Sequence, residues 1–159
     1  MQYLMESAED LRTRARRSLH IAEHMIKETY PVVNDPKLIL AVAGDIYAAV
    51  MNSMTSVLME KKKEFSDDFQ SRFEAFKSIA PACGFREEDN ALIADMETLM
   101  AAHRQSPVEF PRKDLFIICD DKYDIKSISV DDMKNYLCRA KLFLEKAELV
   151  AVKGRPEHE

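Results

Sequence analysis

Two histidines one helical turn apart are the first residues of this sequence that could do chemistry. His20 and His24 are separated by four positions, and on a helix this spacing places two imidazoles on one face, where both could bind a metal ion. Glu23 is the only adjacent carboxylate, and no cysteine lies near in the sequence. Both histidines also project away from the apolar stripe of their segment, so the surroundings favour a solvent-exposed helix face. No metal and no other cofactor is predicted.

An arginine-rich segment, RTRARR, overlaps the same stretch of chain. On a helix, one side of this stretch carries Arg12, Arg16, His20 and Lys27. Such a row of cations could contact the phosphate groups of a polyanion. Arg14 and Arg17 point elsewhere, however, and acidic residues dilute the charge: Glu9, Asp10, Glu23 and Glu28. Two interpretations stay open, a polyanion-binding face or a mixed-charge face exposed to solvent.

A second group of basic residues lies in HRQSPVEFPRKD, which spans residues 103–114. The segment joins the end of a predicted helix to an ordered non-helical stretch, and functional residues often occupy such positions. The candidate contacts for an anion, RNA or a protein partner are His103, Arg104, Arg112 and Lys113. In the alternative interpretation, Glu109 and Asp114 pair with these bases and fix the crossover. Val108 and Phe110 would then pin the segment to the core.

Other catalytic patterns are missing from the sequence. The glycines are limited to Gly44, Gly84 and Gly154, so neither a Walker phosphate loop nor a dinucleotide-binding fingerprint can be written. The sequence has no Gly-x-Ser-x-Gly elbow, no cysteine with a histidine beside it, and no Glu-x-x-His pair of the kind used by di-metal bundles. The absence of a recognisable catalytic motif favours a non-enzymatic protein.

Composition narrows the class of protein further. A chain of 159 residues fits one domain, and a domain of that size buries roughly 70% of its unfolded surface. The apolar fraction of 47%, with 3 glycines, excludes a disordered or glycine-rich β architecture. A net charge of −5 disfavours general attraction to nucleic acid or anionic membranes. The three separated cysteines are interpreted as reduced thiols, and the lack of a secretory signal predicts a cytoplasmic protein.

Prolines divide the chain into helical segments, because proline in a helix interior costs about 3 kcal/mol. The apolar periodicity predicts helices at about residues 3–30, 36–63, 67–80, 87–103 and 130–152. The second of these is apolar around most of its circumference, which predicts the central helix of the bundle. Asp45 and Asn52 lie in the middle of this helix. In a bilayer both would be exposed to lipid, so a buried core helix is predicted and a membrane span is not.

The stretch between the fourth and fifth helices has a different pattern. LFIIC is a compact apolar run, DDKYD is typical of a turn, and IKSIS carries two further apolar residues; together they predict a short, irregular β-hairpin. An isolated hairpin is only marginally stable, so this one must pack on the bundle or on another subunit. The sequence therefore predicts an all-α, up-and-down bundle of about five helices in residues 1–152, with a hairpin-like arm before the last helix. Residues 153–159 are predicted to be a flexible polar tail.

The first 65 residues or so resemble a known helical hairpin. A long amphipathic helix runs into TYPVVNDPKLILAVAGDIYAAVMNSMTSVL, and this pattern resembles the HEPN superfamily, named for higher eukaryote and prokaryote nucleotide-binding proteins. The resemblance implies a bundle of four or five helices, a dimer, and in many members an RNA-cleaving Arg-x4–6-His motif at the dimer interface. Arg14 with His20 and Arg17 with His24 match that motif, but in the first helix instead of a later one. Arg104 has no histidine at the motif spacing, so the resemblance implies a member without the catalytic motif.

Two functional hypotheses follow from these patterns. The first is a non-enzymatic cytoplasmic binding or assembly module that forms a homodimer, in which residues 106–129 and the adjacent basic residues contact a partner chain. Nine methionines and the apolar second helix supply surface for self-association. The alternative is a HEPN-like RNA-binding protein or ribonuclease that uses Arg14, Arg17, His20 and His24, or the segment 104–113. Nucleic acid is the less favoured partner.

Overall fold

A computed structural model describes residues 6–154 of the chain. Six α-helical segments have the bounds α1 Ala8–His24, α2 Tyr30–Val33, α3 Lys37–Glu60, α4 Phe69–Ile79, α5 Glu87–Gln105 and α6 Val130–Lys153. Three strands lie before α6: β1 Val108–Arg112, β2 Leu115–Cys119 and β3 Ile125–Ser129. The predicted helical bundle with a β arm before its last helix is confirmed. The predicted start of the first helix at Tyr3, and residues 155–159 of the predicted tail, lie outside the described part.

The first helix extends further than its sequence predicts. A π-helical turn, Met25–Thr29, joins α1 to α2, so the helical rod passes through Pro31. Pro31 lies in the first turn of α2, directly after the π-helical turn, and helices change their hydrogen-bond pattern or kink at such positions. The rod ends at Asn34, which is left-handed with φ 53°. Asp35 then accepts a hydrogen bond from the backbone N–H of Lys37 at 3.0 Å, and Pro36 directly precedes α3.

The four long helices alternate in direction around the core. Ion pairs show the relative direction of the helices, because residues later in one helix pair with residues earlier in the other. Between α1 and α6 the pairs are Arg16 with Glu148 and Glu23 with Lys141. Between α5 and α6 they are Asp89 with Lys146 and Asp95 with Arg139. The bond between Tyr47 and Glu97 joins α3 to α5. Both α1 and α5 are therefore antiparallel to α6, which is an up-and-down arrangement.

The helix α3 is the central element of the bundle, as its sequence predicts. Small side chains with almost no exposed surface let its neighbours approach closely: Ala43, Ala49, Ser53 and Ser56. The two serine hydroxyls donate to backbone carbonyls of the same helix, each at 2.7 Å, so no polar group is left unsatisfied there. By length and composition α3 could cross a membrane, and half of its most apolar window is buried in the bundle.

Three phenylalanines join α4 and the following turn to the bundle. The rings of Phe76, Phe85 and Phe143 are mutual neighbours, with centroid separations of 5.0, 5.1 and 5.8 Å. Gly84, with φ 89°, allows the chain to reverse between α4 and Phe85. The predicted inward face of the third helix is thus confirmed at Phe76, which is fully buried.

The β arm is a three-stranded antiparallel sheet in the order β1-β2-β3. The sequence predicted the hairpin of β2 and β3 but not the additional strand β1. β1 pairs with β2 along VEFPR, where two nearby prolines had indicated an irregular segment. Proline is tolerated in an edge strand because one side of the strand has no partner to bond. On the inner face of the sheet, Phe116, Ile118 and Ile128 join the bundle core. The helix α6 then begins at a capping box, in which Ser129 and Asp132 each accept a hydrogen bond from the other's backbone N–H group.

Candidate functional site

Arg12 is buried, and its predicted position on an exposed basic face was wrong. Its side chain is 6% exposed, and Nη1 donates to Oε1 of Glu60 at 2.8 Å. The carboxylate comes from the last turn of α3, which packs against the first turns of α1. A helical wheel shows only the angle of a side chain on its own helix, so it could not show this neighbour. Arg12 therefore links two helices and is not accessible to a polyanion.

Arg16 and His20 border a groove between α1 and α6 with a volume of about 270 Å³. The charged side chains that line the groove are Arg16, Glu23, Lys141, Glu145 and Glu148. Arg16 bonds Glu148 and Lys141 bonds Glu23, each at 2.6 Å. Three carboxylates and two cations give the groove a slight negative charge, which is the mixed-charge arrangement. His24 is exposed on α1 outside this groove, and residues 6–154 contain no cluster of histidine, cysteine and carboxylate groups that could hold a metal.

The ion pairs of Glu23 give a pH-dependent contribution to stability. Hydrogen bonds from Lys141 and then Lys27 lower the pKa of Glu23 from 4.5 to about 2. A carboxyl group whose pKa is lower in the folded state stabilises the fold above its unfolded pKa, and this contribution is lost as the pH falls through the folded pKa. The relevant window is therefore between pH 4.5 and about 2.

We expect Glu23→Gln to reduce the loss of stability across that pH window. The pair is partly exposed to solvent, so the difference should be about 1 kcal/mol or less. Urea unfolding at several pH values measures it, with Glu28→Gln as the control, because Glu28 is exposed and lies in the following π-helical turn. Parallel pH profiles for wild type and Glu23→Gln would contradict the expectation.

His103 and Arg104 are held by carboxylates at the end of α5. The Nδ1 atom of His103 lies 2.7 Å from Oε1 of Glu109, which is the pairing proposed in the structural interpretation of this segment. Arg104 instead donates to Oε1 of Glu97 at 2.8 Å. Tyr47 donates to the other oxygen of Glu97 at 2.6 Å, and burial together with that bond raises the pKa of Tyr47. The group connects α3, α5 and β1, so its cations are engaged within the fold.

Arg112 and Lys113 differ from the other candidate residues, because they are exposed in the turn between β1 and β2. Lys113 has a left-handed backbone, with φ 54°. Among residues 6–154, neither side chain takes part in an ion pair. The turn is therefore a free basic end of the sheet.

The outer face of the sheet is apolar. Successive residues of a strand point to opposite faces, and the register pairs Phe110 with Ile117 and Ile117 with Ser127 across the middle of the sheet. This alternation places six apolar residues on the side opposite the bundle core: Val108, Phe110, Leu115, Ile117, Cys119 and Ile125. Val108 and Phe110 had been predicted to pin the segment to the core. That prediction was wrong, because both side chains face outward.

The two edge strands leave part of this outer face exposed. The exposed fractions are 51% for Val108, 42% for Phe110 and 71% for Ile125. In the central strand β2, Ile117 is only 7% exposed, although it does not belong to the bundle core, and Leu115 and Cys119 are half-buried. The signal in the sequence was LFIIC, since an unbroken apolar run is typical of a strand that is buried on both faces. The exposed apolar side chains of the face are therefore those of β1 and β3.

The two ends of the outer face have opposite charge. At one end, Arg112 at the end of β1 and Lys113 in the β1–β2 turn outnumber Asp114; at the other end, Asp120, Asp121 and Asp124 outnumber Lys122 in the β2–β3 turn. Asp120 orders that second turn by accepting the backbone N–H groups of Lys122 at 2.8 Å and Asp124 at 2.9 Å. An apolar centre between a basic end and an acidic end is self-complementary if a second copy lies across it in reverse.

No protein-family model matches this chain, and no curated protein matches its sequence.

Proposed function

We propose that this protein is a non-enzymatic assembly module that forms a weak homodimer through the outer face of its sheet. The observation that carries the proposal is the uncovered apolar face of Val108, Phe110 and Ile125, which has a basic turn at one end and an acidic turn at the other. An apolar patch rimmed by charged residues is typical of a protein interaction site. We place the dimer in the cytoplasm, which agrees with the three unpaired cysteines.

The charges favour one orientation of the two copies. In this orientation the two sheets lie face to face, and the two-fold axis lies between them, perpendicular to the strands. The central row of Phe110, Ile117 and Ser127 then packs on the same row of the second copy. The same rotation brings the basic β1–β2 turn of each copy over the acidic β2–β3 turn of the other. An axis along the strands would instead oppose like charges, which is unfavourable. The interface is therefore isologous, with each contact made twice.

The size of the face limits the strength of the dimer. Three strands about 4.8 Å apart, with five residues of about 3.4 Å each, span about 14 Å by 17 Å. A stable interface buries about 800 Å² on each partner, which is more than this sheet face offers. We therefore expect a dissociation constant between about 10 µM and 1 mM.

The dimer is tested by placing a charge at the centre of the face. Phe110→Asp should weaken self-association at least tenfold, which is about 1.4 kcal/mol, because two buried carboxylates would face each other across the axis. Ile21→Asp is the matched control, since Ile21 is 43% exposed against 42% for Phe110 and lies on α1. Sedimentation equilibrium over a range of about 1 µM to 1 mM brackets the expected dissociation constant. Wild-type protein that stays monomeric, or equal weakening by both variants, would refute the proposal.

RNA binding of the HEPN type is the second candidate function. It is favoured by one observation: Arg17, His20 and His24 are all exposed along one side of α1. The same sedimentation runs with a short RNA distinguish the two candidates. RNA binding through cations weakens steeply as salt increases, whereas an apolar dimer interface is far less sensitive. Salt-dependent complex formation with RNA would favour the second candidate.

A further inference from the structure

Within residues 6–154, β3 pairs on one side only, with β2, so its other edge is open. A neighbouring hydrogen bond shows which backbone groups of β3 point to that edge. The backbone N–H of Asp120 donates to the carbonyl of Asp124 at 3.0 Å. Along an antiparallel ladder, residue pairs that exchange backbone hydrogen bonds alternate with pairs that do not. Because Asp120 and Asp124 form a bonded pair, the backbone groups of Lys126 and Ile128 also bond to β2. The N–H and C=O groups of Ile125 and Ser127 consequently point to the open edge. Ser129 agrees with this phase, because its N–H donates to Asp132.

The open edge lies beside a groove instead of open solvent. One cavity of about 230 Å³ is enclosed by α5, β3 and α6, and another of about 280 Å³ by α5, β2, β3 and the β2–β3 turn. Thr98 and Lys126 line both cavities, so the two adjoin. Thr98 and Ala102 are small and leave room between α5 and the strand. A groove between a helix and a strand edge has the form used to bind peptides by strand addition.

The groove is acidic. Its carboxylates are Asp95, Asp120, Asp124 and Asp132, and Lys126 is the one cation among its lining residues in the described part of the chain. Arg139 approaches Asp95 at 3.7 Å without lining the groove. A peptide with lysine or arginine side chains would therefore be complementary in charge. A second copy paired edge to edge through β3 would instead bring two acidic linings together, which is unfavourable.

We propose that this groove binds an extended, basic peptide segment as a fourth strand against β3. The backbone of the segment bonds to the free groups of Ile125 and Ser127, and its cationic side chains lie toward Asp95 and Asp124. The groove shares Ile125 and the acidic β2–β3 turn with the proposed dimer face, but it does not use the side chains of Phe110 and Ile117. Because the peptide is tested on Phe110→Asp protein, failure of peptide binding can be distinguished from failure of the dimer.

The probe is a capped heptapeptide of alternating lysine and threonine. Its binding is monitored through the backbone amide chemical shifts of isotope-labelled Phe110→Asp protein, which is expected to be monomeric. We expect shifts at residues 125–127 of β3 and residues 95–102 of α5. A peptide methylated on alternate backbone nitrogens should bind at least tenfold more weakly, because it cannot pair with the strand; tenfold corresponds to about 1.4 kcal/mol. A peptide with glutamate in place of lysine should not bind.

Variants of the protein separate charge from geometry. Asp124→Asn should weaken binding about threefold, as expected for one partly exposed charge pair, whereas Asp121→Asn should not, because Asp121 is in the same turn but does not line the groove. Ser127→Pro should abolish the shifts while leaving the β2–β3 ladder intact, since its N–H points away from β2. Binding that is unaffected by methylation of the peptide, equal effects of both asparagine variants, or no shifts at millimolar peptide would overturn the proposal.

Discussion

Phe143→Ala is expected to lower the free energy of unfolding by about 3–5 kcal/mol, which is the usual cost of removing a fully buried phenylalanine ring. Phe143 has no exposed surface, and its ring contacts those of Phe76 and Phe85. The three rings attach α4 and the following turn to α6. The cavity left by alanine cannot close without moving a helix, and small domains have a total stability of only about 5–15 kcal/mol.

Leu142→Ala is the matched control for that experiment. Leu142 is the preceding residue on the same helix but is 54% exposed, so its truncation should cost less than about 0.5 kcal/mol. Urea unfolding followed by circular dichroism gives both values on one scale. A similar shift of the unfolding midpoint in the two variants would show that the aromatic cluster does not have the expected role.

Ile118→Ala is the second substitution with a large expected effect, about 2–5 kcal/mol. Ile118 is almost fully buried on the inner face of β2 and belongs to the bundle core. Its side chain holds the inner face of the sheet against the helices. Truncation should loosen the sheet more than the helices, so exchange of the β2 amide hydrogens should accelerate before the helices unfold.

Ile125→Ala tests whether the two faces of the sheet differ as described. The same residue type is removed from the same sheet, but Ile125 faces outward and is 71% exposed. Its truncation should change the stability of the monomer by less than about 0.5 kcal/mol, while weakening the proposed dimer. Equal losses of monomer stability at both isoleucines would mean that the outer face is as buried as the inner one.

The candidate surface was only partly predictable from the sequence. Residues 106–129 were predicted as the partner-binding arm, and the structure finds an uncovered apolar face in that segment. Its residues were assigned to the wrong side, because Phe110 was expected in the core. The strand that contains Phe110 includes Pro111 and follows Pro107. Proline within a segment argues against its being a β-strand, because it cannot donate a backbone hydrogen bond. Pairing with β2 decided the matter, since an edge strand needs partners on one side only.

The basic residues illustrate the same limit in a different way. One interpretation of residues 103–114 paired Glu109 and Asp114 with the basic residues of that segment; Glu109 does contact His103, six positions away, whereas Arg104 bonds Glu97 instead. Arg12 was assigned to an exposed face, yet its partner Glu60 is 48 positions away. A charge that is paired across the bundle cannot be distinguished from a free one by composition or helical periodicity alone.

The sequence by itself determined the elements that depend on local chemistry. Apolar stripes and prolines placed five helices, with ends generally within a few residues of those observed, and the apolar circumference of α3 marked it as the central helix. The tertiary structure alone decided which strand joined β2, which side chains faced outward and which charges were already paired. These properties depend on contacts between residues that are distant in the chain, and hydrophobic pattern carries no information about the partner that will cover a given face.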